Sequence, residues 1–189
     1  RPAASLDASS VAYWGPPARE GTPLPVLTVA AGPAGNVRSI EFGYDAAAAA
    51  LYRGGSRVDD DTETALPIEP AYALGGLKAL ASTSGTPPAL LRTRAFVEPS
   101  RAGTSASAYA AALVQESARS ALRARVVVDG LVYGTVVTPA SLIAVRGAGD
   151  AHDGLYYVER VEHEIARRRY TQSIEMTREG LGSTISKAT

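Results

Sequence analysis

The sequence contains no cysteine, and this absence excludes several kinds of site at once. Disulfide frameworks, thiolate zinc sites, iron–sulfur clusters and a cysteine nucleophile all require thiols. Only two histidines occur among 189 residues, so a metal site with several imidazole ligands is disfavoured as well. The 35 alanines inflate the apolar fraction, whereas Leu, Ile, Val and Phe together number only 40. The core must therefore be small and built mainly from Val and Leu.

The chain also lacks an excess of charge of either sign. Its 19 Lys and Arg residues balance 19 Asp and Glu residues, which argues against a strongly basic nucleic-acid-binding protein. No apolar run approaches the roughly 20 residues that a membrane-spanning helix needs, and no signal-peptide pattern is visible. Because the sequence begins at Arg1, we expect it to be part of a longer or processed polypeptide.

Proline punctuates the first half, with ten of the twelve prolines lying before residue 90. Proline lacks a backbone N–H and clashes with the preceding helical turn, so short extended segments are favoured there. Residues 37–44 alternate apolar and polar side chains, which predicts a half-buried strand. Residues 11–14 and 26–30 are further strand candidates, and the alanine-rich stretch 45–51 could form a helical turn.

The second half changes from a helical to a strand period. Residues 105–123 lack proline and glycine, and their apolar side chains recur every three or four positions, which predicts an amphipathic helix. A strand is expected at 125–128, followed by a turn at Asp129-Gly130. Further strands are expected at 132–137 and 141–146.

A long antiparallel hairpin is predicted from residues 155–165 and 170–179. One face is expected to be apolar, and it carries Leu155, Tyr157, Val161, Ile165, Tyr170, Ile174 and Met176. The opposite face is charged, and it carries Arg160, Glu162, Glu164, Thr171, Glu175 and Thr177. The tip holds the one concentrated basic feature of the chain: Arg167, Arg168 and Arg169. A solvated turn is the simpler interpretation of these arginines, and a partner-binding tip is the functional one.

Few residue groups suggest catalysis or metal binding. One glycine-flanked loop combines carboxylates and an imidazole: Asp150, His152 and Asp153. A surface turn is the preferred interpretation, because no second histidine stands at a useful spacing. The run Asp59–Asp61 lacks the ligand spacing of a calcium loop. His163 lies on a strand beside Val161 and Ile165, so a buried, hydrogen-bonded or interface histidine is expected rather than a catalyst. We predict no catalytic, cofactor or metal site.

Several blocks in the second half are similar to one protein family. They are LVYG at 131–134, VRGAG at 145–149, DGLYYVERVEHEI at 153–165 and YTQSIEMTREGLGST at 170–184. Together with YWGPPAREGTPLPVLTVAAGPAGNVRSIEFGYD in the first half, they resemble the baseplate hub proteins of contractile phage tails and injection systems, the late-control D or VgrG-like family. The resemblance covers about 130 residues, and 50–90 match least.

The resemblance implies a structural role. Hub subunits of that family each offer two β-barrel tube domains, and three subunits form a ring that adapts a hexameric tail tube to a trimeric spike. The expected partners are further copies of the chain in a homotrimer, a tail-tube protein and a spike protein, with no specific nucleic acid and no membrane insertion. The expected location is a virion tail or injection-system baseplate, assembled in the bacterial cytoplasm. No catalytic residues of the family exist to transfer.

The sequence thus predicts a mainly β fold, an antiparallel β-barrel or a strongly curved sheet with the amphipathic helix packed against it. The resemblance implies an antiparallel β-barrel of the tube type. Residues 1–50 would supply strands to this domain, and 51–103 would form an irregular insertion or linker. Residues 104–182 would hold the helix and the antiparallel strands, and 183–189 would be a tail. The alternative function is a phage-tail cell-wall hydrolase or a carbohydrate-binding β-domain, which should show a cleft with convergent carboxylates.

Overall fold

The computed structural model describes residues 18–45, 50–53, 56–58, 65–72, 74, 76–83, 91–96 and 103–184. Within these residues the fold is mainly β, as predicted, with ten strands and two α-helices. The strands are β1 Leu24–Thr28, β2 Val37–Tyr44, β3 Ala50–Arg53, β4 Ser56–Val58, β5 Ala65–Pro67, β6 Arg92–Ala95, β7 Leu122–Asp129, β8 Leu142–Arg146, β9 Gly154–Ala166 and β10 Arg169–Arg178. The helices are α1 Gly103–Arg119 and α2 Gly130–Tyr133. No helix among the described residues is both long enough and apolar enough to cross a membrane.

The main sheet has six strands in the order β1-β8-β9-β10-β7-β2. Every neighbouring pair is antiparallel except β1–β8, which is parallel. The sheet curls into a half-barrel, and its edge strands β1 and β2 do not pair with each other in the described part of the chain. The Asn36 side chain spans the gap instead, donating to the Val26 carbonyl at 2.8 Å and accepting from the Thr28 N–H at 2.8 Å. The described residues thus form the strongly curved sheet that was one of the two expected forms, with one parallel pair in it, and a closed antiparallel barrel is not confirmed.

The principal core lies on the inner face of this curled sheet. Strand β7 alternates buried and more exposed residues along its whole length, which is the pattern of a strand with one buried face. Its side chains Val126 and Val128 meet Ile174 of β10 and Ile143 of β8, all fully buried. Strand β2 contributes half-buried side chains to the same core, so residues 37–44 form the half-buried strand that the alternation predicted.

A β-bulge divides the long hairpin into two parts. Glu175 pairs with Arg160 and the next residue, Met176, pairs with Val158, so the backbone of Glu159 has no pairing partner on β10. One extra residue reverses which face each following side chain occupies. The predicted apolar face is therefore wrong at its inner end. Leu155 and Tyr157 pack on the opposite side of the sheet, in a second cluster with Leu80 and Leu142.

Two predicted element boundaries also need correction. Helix α1 ends at Arg119 rather than at residue 123, because Leu122 already begins β7. The expected strand at 132–137 is absent from the structure, where Asp129 caps the short helix α2 by accepting from the Leu131 and Val132 N–H groups. Gly134 closes that helix with a left-handed φ of 71°, which glycine adopts without a steric penalty.

The described parts of residues 51–103 are more regular than predicted. Strand β3 pairs in parallel with β6, and β4 pairs with β5. Ala50 and Leu51 belong to β3, so the helical turn expected over 45–51 is wrong at that end. Helix α1 packs beside β3, with Ala106 and Ala110 buried against Ile68 and Phe96. The strand expected at 11–14, the acidic run Asp59–Asp61 and most of the tail 183–189 lie outside the described residues.

Candidate assembly surface

The outer half of the β9–β10 hairpin extends beyond the neighbouring strand. Strand β8 pairs with β9 only from Gly154 to Tyr157, and the last backbone bonds on that side are made at Val158. From Glu159 to Ala166, β9 pairs with β10 alone among the described residues. Its side chains there are exposed, apart from the half-buried Val161. This hairpin therefore presents an edge eight residues long with which no second described strand pairs, and we call it the free β9 edge.

The structure separates the three predicted tip arginines. Arg167 and Arg168 form the two-residue turn between β9 and β10, and both are exposed. Neither makes a hydrogen bond or an ion pair with a described residue, and Arg168 has a left-handed φ of 62°. Arg169 instead forms an ion pair with Glu164 across the hairpin. Two of the three positive charges thus have no counter-charge among the residues that the structure describes.

Four large aliphatic side chains are exposed near the same end of the sheet, and we call them the apolar patch. They are Leu131 at 71%, Val132 at 65%, Val136 at 60% and Ile165 at 80% exposure. Helix α2 packs against β10, where a Cβ at Gly130 would overlap the Tyr170 ring. Several aliphatic side chains clustered on a surface mark an interaction site more often than single ones do. The prediction that Ile165 faces an apolar interior is wrong.

A buried glutamine holds this end of the molecule together. The Gln172 side chain donates from Nε2 to the Thr135 carbonyl at 2.8 Å and accepts from the Val137 N–H at 2.8 Å. It thereby ties the segment after α2 to β10. Sequence reasoning missed this residue, although a lone amide on the apolar face of a strand is a signal that a buried polar partner is needed.

His163 and Tyr170 form a pair beside the tip. The imidazole Nδ1 lies 2.9 Å from the Tyr170 hydroxyl, and the two rings are stacked with centroids 6.0 Å apart. His163 is exposed, so the predicted burial is wrong while its hydrogen bonding is confirmed. Nearby, the backbone N–H of Leu131 and the guanidinium of Arg38 hold the pKa of the Asp129 carboxyl below its usual value.

A row of alternating charges crosses the outer face of the sheet. Glu41 on β2 stands opposite Arg125 on β7, Arg125 opposite Glu175 on β10, and Glu175 opposite Arg160 on β9. Arg125 and Glu175 form an ion pair of 2.5 Å. We call these four residues the charged row. A shallow polar groove of about 180 Å³ lies along it, with Glu162 and Ser173 in its lining.

A buried ion pair anchors the far end of the hairpin. The Arg19 guanidinium donates to Glu179 at 2.6 Å, and each side chain is only 1% exposed. Arg19 also donates to the carbonyl of Arg119 at the end of α1, while Glu179 accepts from the N–H groups of Leu80 and Ala81. Burial lowers the pKa of Arg19, and Glu179 opposes that effect. Four separate chain segments meet at this pair, which makes it a structural anchor.

Hydrogen bonds from side chains to backbone groups hold the loop that contains Asp150, His152 and Asp153. The Asp153 carboxylate accepts from the N–H groups of Gly147 and Ala148, at 3.2 and 2.8 Å. Buried Arg178 donates to the carbonyls of Ala151 and Asp153 and lies over the Tyr156 ring. His152 stacks on Phe42, with ring centroids 4.3 Å apart. Among the described residues no group of three or more metal-ligating side chains is present.

Comparison with solved structures places the fold among phage tail proteins. The chain is similar to the 43 kDa tail protein of prophage MuSo2 from Shewanella oneidensis, with a TM-score of 0.51 and 12% identity over 85% of this chain. It is also similar to a tail protein from Neisseria meningitidis MC58, with a TM-score of 0.51 and 9% identity over 86% of this chain. The match covers 44% and 45% of those two proteins, so the chain spans less than half of their length.

No protein-family model and no curated protein matches the chain. At 9–12% identity the likeness is one of fold. The chain therefore shares its fold with domains of phage tail proteins.

Proposed function

We propose that this protein is a structural component of a contractile phage tail or injection-system baseplate. In this role copies of the chain form a ring, with a homotrimer as the expected state, that adapts a hexameric tail tube to a trimeric spike. The fold shared with two phage tail proteins supports this assignment. The protein would act in the virion tail or baseplate after assembly in the bacterial cytoplasm.

One observation carries the proposal: the main sheet is open at both the outer half of β9 and the outer side of β2. No described residue pairs with the eight-residue β9 edge or with the free side of β2. Long unpaired strand edges promote aggregation unless another chain or element covers them. Head-to-tail packing that closes into a ring would cover both edges with one type of contact.

The test is mass measurement of the protein in solution combined with negative-stain imaging. We expect discrete closed rings, with the mass of a small integral number of copies. Strictly monomeric protein at all concentrations up to the micromolar range, together with images of single particles, would contradict the ring.

We also propose that the protein is not an enzyme. Glu162 and Glu175 line one groove, as a hydrolase of the alternative kind would require, but Arg125 binds Glu175 directly. A carboxylate paired with a guanidinium at 2.5 Å is poorly placed to protonate a leaving group. Incubation with purified peptidoglycan should release no soluble fragments. Release that is abolished by Glu162→Gln or Glu175→Gln would establish the hydrolase instead.

A further inference from the structure

The charged row ends at two strand edges with which no described strand pairs, the outer side of β2 and the outer half of β9. Glu41 lies on β2, and Arg160 lies on the part of β9 that extends past β8. Both side chains are exposed. The row therefore has a carboxylate at one edge and a guanidinium at the other, and its two ends are complementary in charge.

The strand directions and the hydrogen-bond pattern also allow this row to continue into a second copy. Strands β2, β7, β10 and β9 alternate in direction, so β2 and β9 run opposite ways. A head-to-tail neighbour in the same orientation would thus place its β2 antiparallel to β9. Hydrogen-bonded and non-hydrogen-bonded pairs alternate across an antiparallel row. The row contains three pairs within one copy, so its first and last pairs are of the same type. A pair between two copies is then of the other type as seen from both strands, and the alternation continues from one copy into the next.

We propose that Arg160 of one copy pairs with Glu41 of a second copy and that this contact sets the register between their sheets. The inference rests on the proposed ring and names the partner of the β9 edge. In this register Ile40 of the second copy lies opposite Val161, which continues the apolar row on the inner face. Sliding β2 by two residues would place Glu41 opposite Glu162, and like charges in that position are destabilising.

The proposed register also fits the space available. Pairs from Ser39–Glu162 to Glu41–Arg160 use only the portion of β9 that lies beyond Val158. Pairing further along β9 would meet the backbone bonds between Val158 and the segment before β8. At the other end, a bulge between Val37 and Ser39 interrupts the regular pairing of β2. The contact is therefore limited to about three regular residue pairs, and a single charged pair contributes a large share of its specificity.

The first test exchanges the charges between two preparations of the full chain. Arg160→Glu alone places two carboxylates together at every junction, and Glu41→Arg alone places two guanidinium groups together. We expect each variant to associate about tenfold more weakly than the wild type at low salt. Mixing the two variants makes every junction between unlike copies complementary. A three-membered ring always keeps one junction between like copies, so the mixture should associate more tightly than either variant alone without reaching the wild-type affinity. Circular dichroism of each variant checks folding.

A second test uses the absence of cysteine from the native chain. Ser39→Cys with Glu162→Cys places thiols on positions that the proposed register sets opposite each other. Within one copy these positions are three strand spacings apart, about 14 Å, which is too far for a disulfide. Oxidation should therefore yield a ladder of covalent oligomers. The matched control, Ser39→Cys with Glu164→Cys, is two residues out of register and should cross-link at least tenfold more slowly.

The outcomes separate the register from the proposed function. Rings that form normally from both single variants, or equal cross-linking of the two cysteine pairs, would overturn the register and leave the structural role standing. Wild-type protein without any self-association would overturn both. Rescue only in the mixture, together with selective cross-linking at Ser39 and Glu162, would establish the contact.

Discussion

At the scale of single residues, two Arg–Glu ion pairs are expected to differ in how much stability is lost when one partner is removed. Arg19–Glu179 is sealed from solvent, whereas Arg125–Glu175 lies on the surface with side chains 65% and 40% exposed. Removing one member of a buried pair leaves a charge without solvent or partner, which is strongly destabilising. Exposed pairs contribute little, because water already solvates both charges.

Glu179→Ala should therefore lower the free energy of unfolding by about 3–5 kcal/mol. It removes the partner of Arg19 and the acceptor for two backbone N–H groups. Its matched control, Glu175→Ala, should lower the free energy by about 0–1 kcal/mol. Urea unfolding followed by circular dichroism measures both. Similar losses for the two variants would show that the Arg19–Glu179 pair is not the anchor described above.

Two buried tyrosines make the fold sensitive to alkaline pH. Burial raises the pKa of Tyr133 and of Tyr156 to about 12, compared with about 10 in an unfolded chain. Their contribution to stability is complete below pH 10. It is lost as the pH rises towards 12, because only the unfolded chain releases these protons in that window.

Stability should thus fall steeply between pH 10 and pH 12 in urea titrations of the wild type. Tyr133→Phe with Tyr156→Phe should make that fall shallower, although burial also raises the pKa of Tyr157. At neutral pH the same double variant should be about 1–3 kcal/mol less stable, since the hydroxyls donate to the carbonyls of Pro25 and His152. If stability falls with pH above pH 10 as steeply in the double variant as in the wild type, Tyr133 and Tyr156 are not the cause of the loss.

At the scale of elements, the hairpin is the part of the chain with the most asymmetric faces. Ile174 is fully buried in the principal core, while Val161 opposite it is half-buried and Glu162 is exposed. The bulge at Glu159 lets one continuous strand serve two clusters on opposite sides of the sheet. The loss of stability caused by a substitution on this strand should therefore depend on how buried the position is as well as on the face it occupies.

Ile174→Asp should destabilise the protein by several kcal/mol, because it buries an unpaired charge. Val161→Asp should have a smaller effect, since its side chain can turn towards water. Glu162→Ala should leave the melting temperature almost unchanged. Thermal unfolding of the three variants gives the order directly. A loss for Glu162→Ala that equals the loss for Ile174→Asp would contradict this placement of the hairpin.

At the scale of the whole molecule, one end concentrates the features expected of an interface. The apolar patch, the free β9 edge and the two uncompensated tip arginines all belong to the hairpin and the elements packed on it. The opposite end carries the buried Arg19–Glu179 anchor and the loop held by Arg178. The buried contacts that hold the fold together and the exposed features at which we propose assembly thus lie at different ends of the hairpin.

Replacing Arg167 and Arg168 with serine should weaken self-association several-fold at low salt and leave the melting temperature within about one degree. Arg169→Ser is the matched control, because Glu164 already neutralises that charge. Sedimentation of the full chain at 50 mM and 500 mM salt measures the difference. Normal association of the double variant at low salt would exclude the tip from the interface.

Local patterns predicted the elements that depend on nearby residues. The alternation at 37–44 and the helical period after Ser105 each reflect one element with one buried face. The expected strand at 132–137 failed because the Asp129 side chain captures the next N–H groups and starts a helical turn. Arg167 and Arg168 form the turn that was expected of the tip arginines. Arg169 instead begins β10, and its ion pair with Glu164 depends on the cross-strand register.

The sequence by itself determined the mainly β class, the long hairpin and the absence of thiol chemistry, because composition and short-range periodicity act within a few residues. Only the tertiary structure decided how the sheet opens, where the bulge reverses the faces, and that Arg19 meets Glu179 across 160 positions. These features depend on which distant segments come together. Such contacts leave no periodic pattern in the sequence, because each buried polar group bonds to a partner that only the folded chain brings near it.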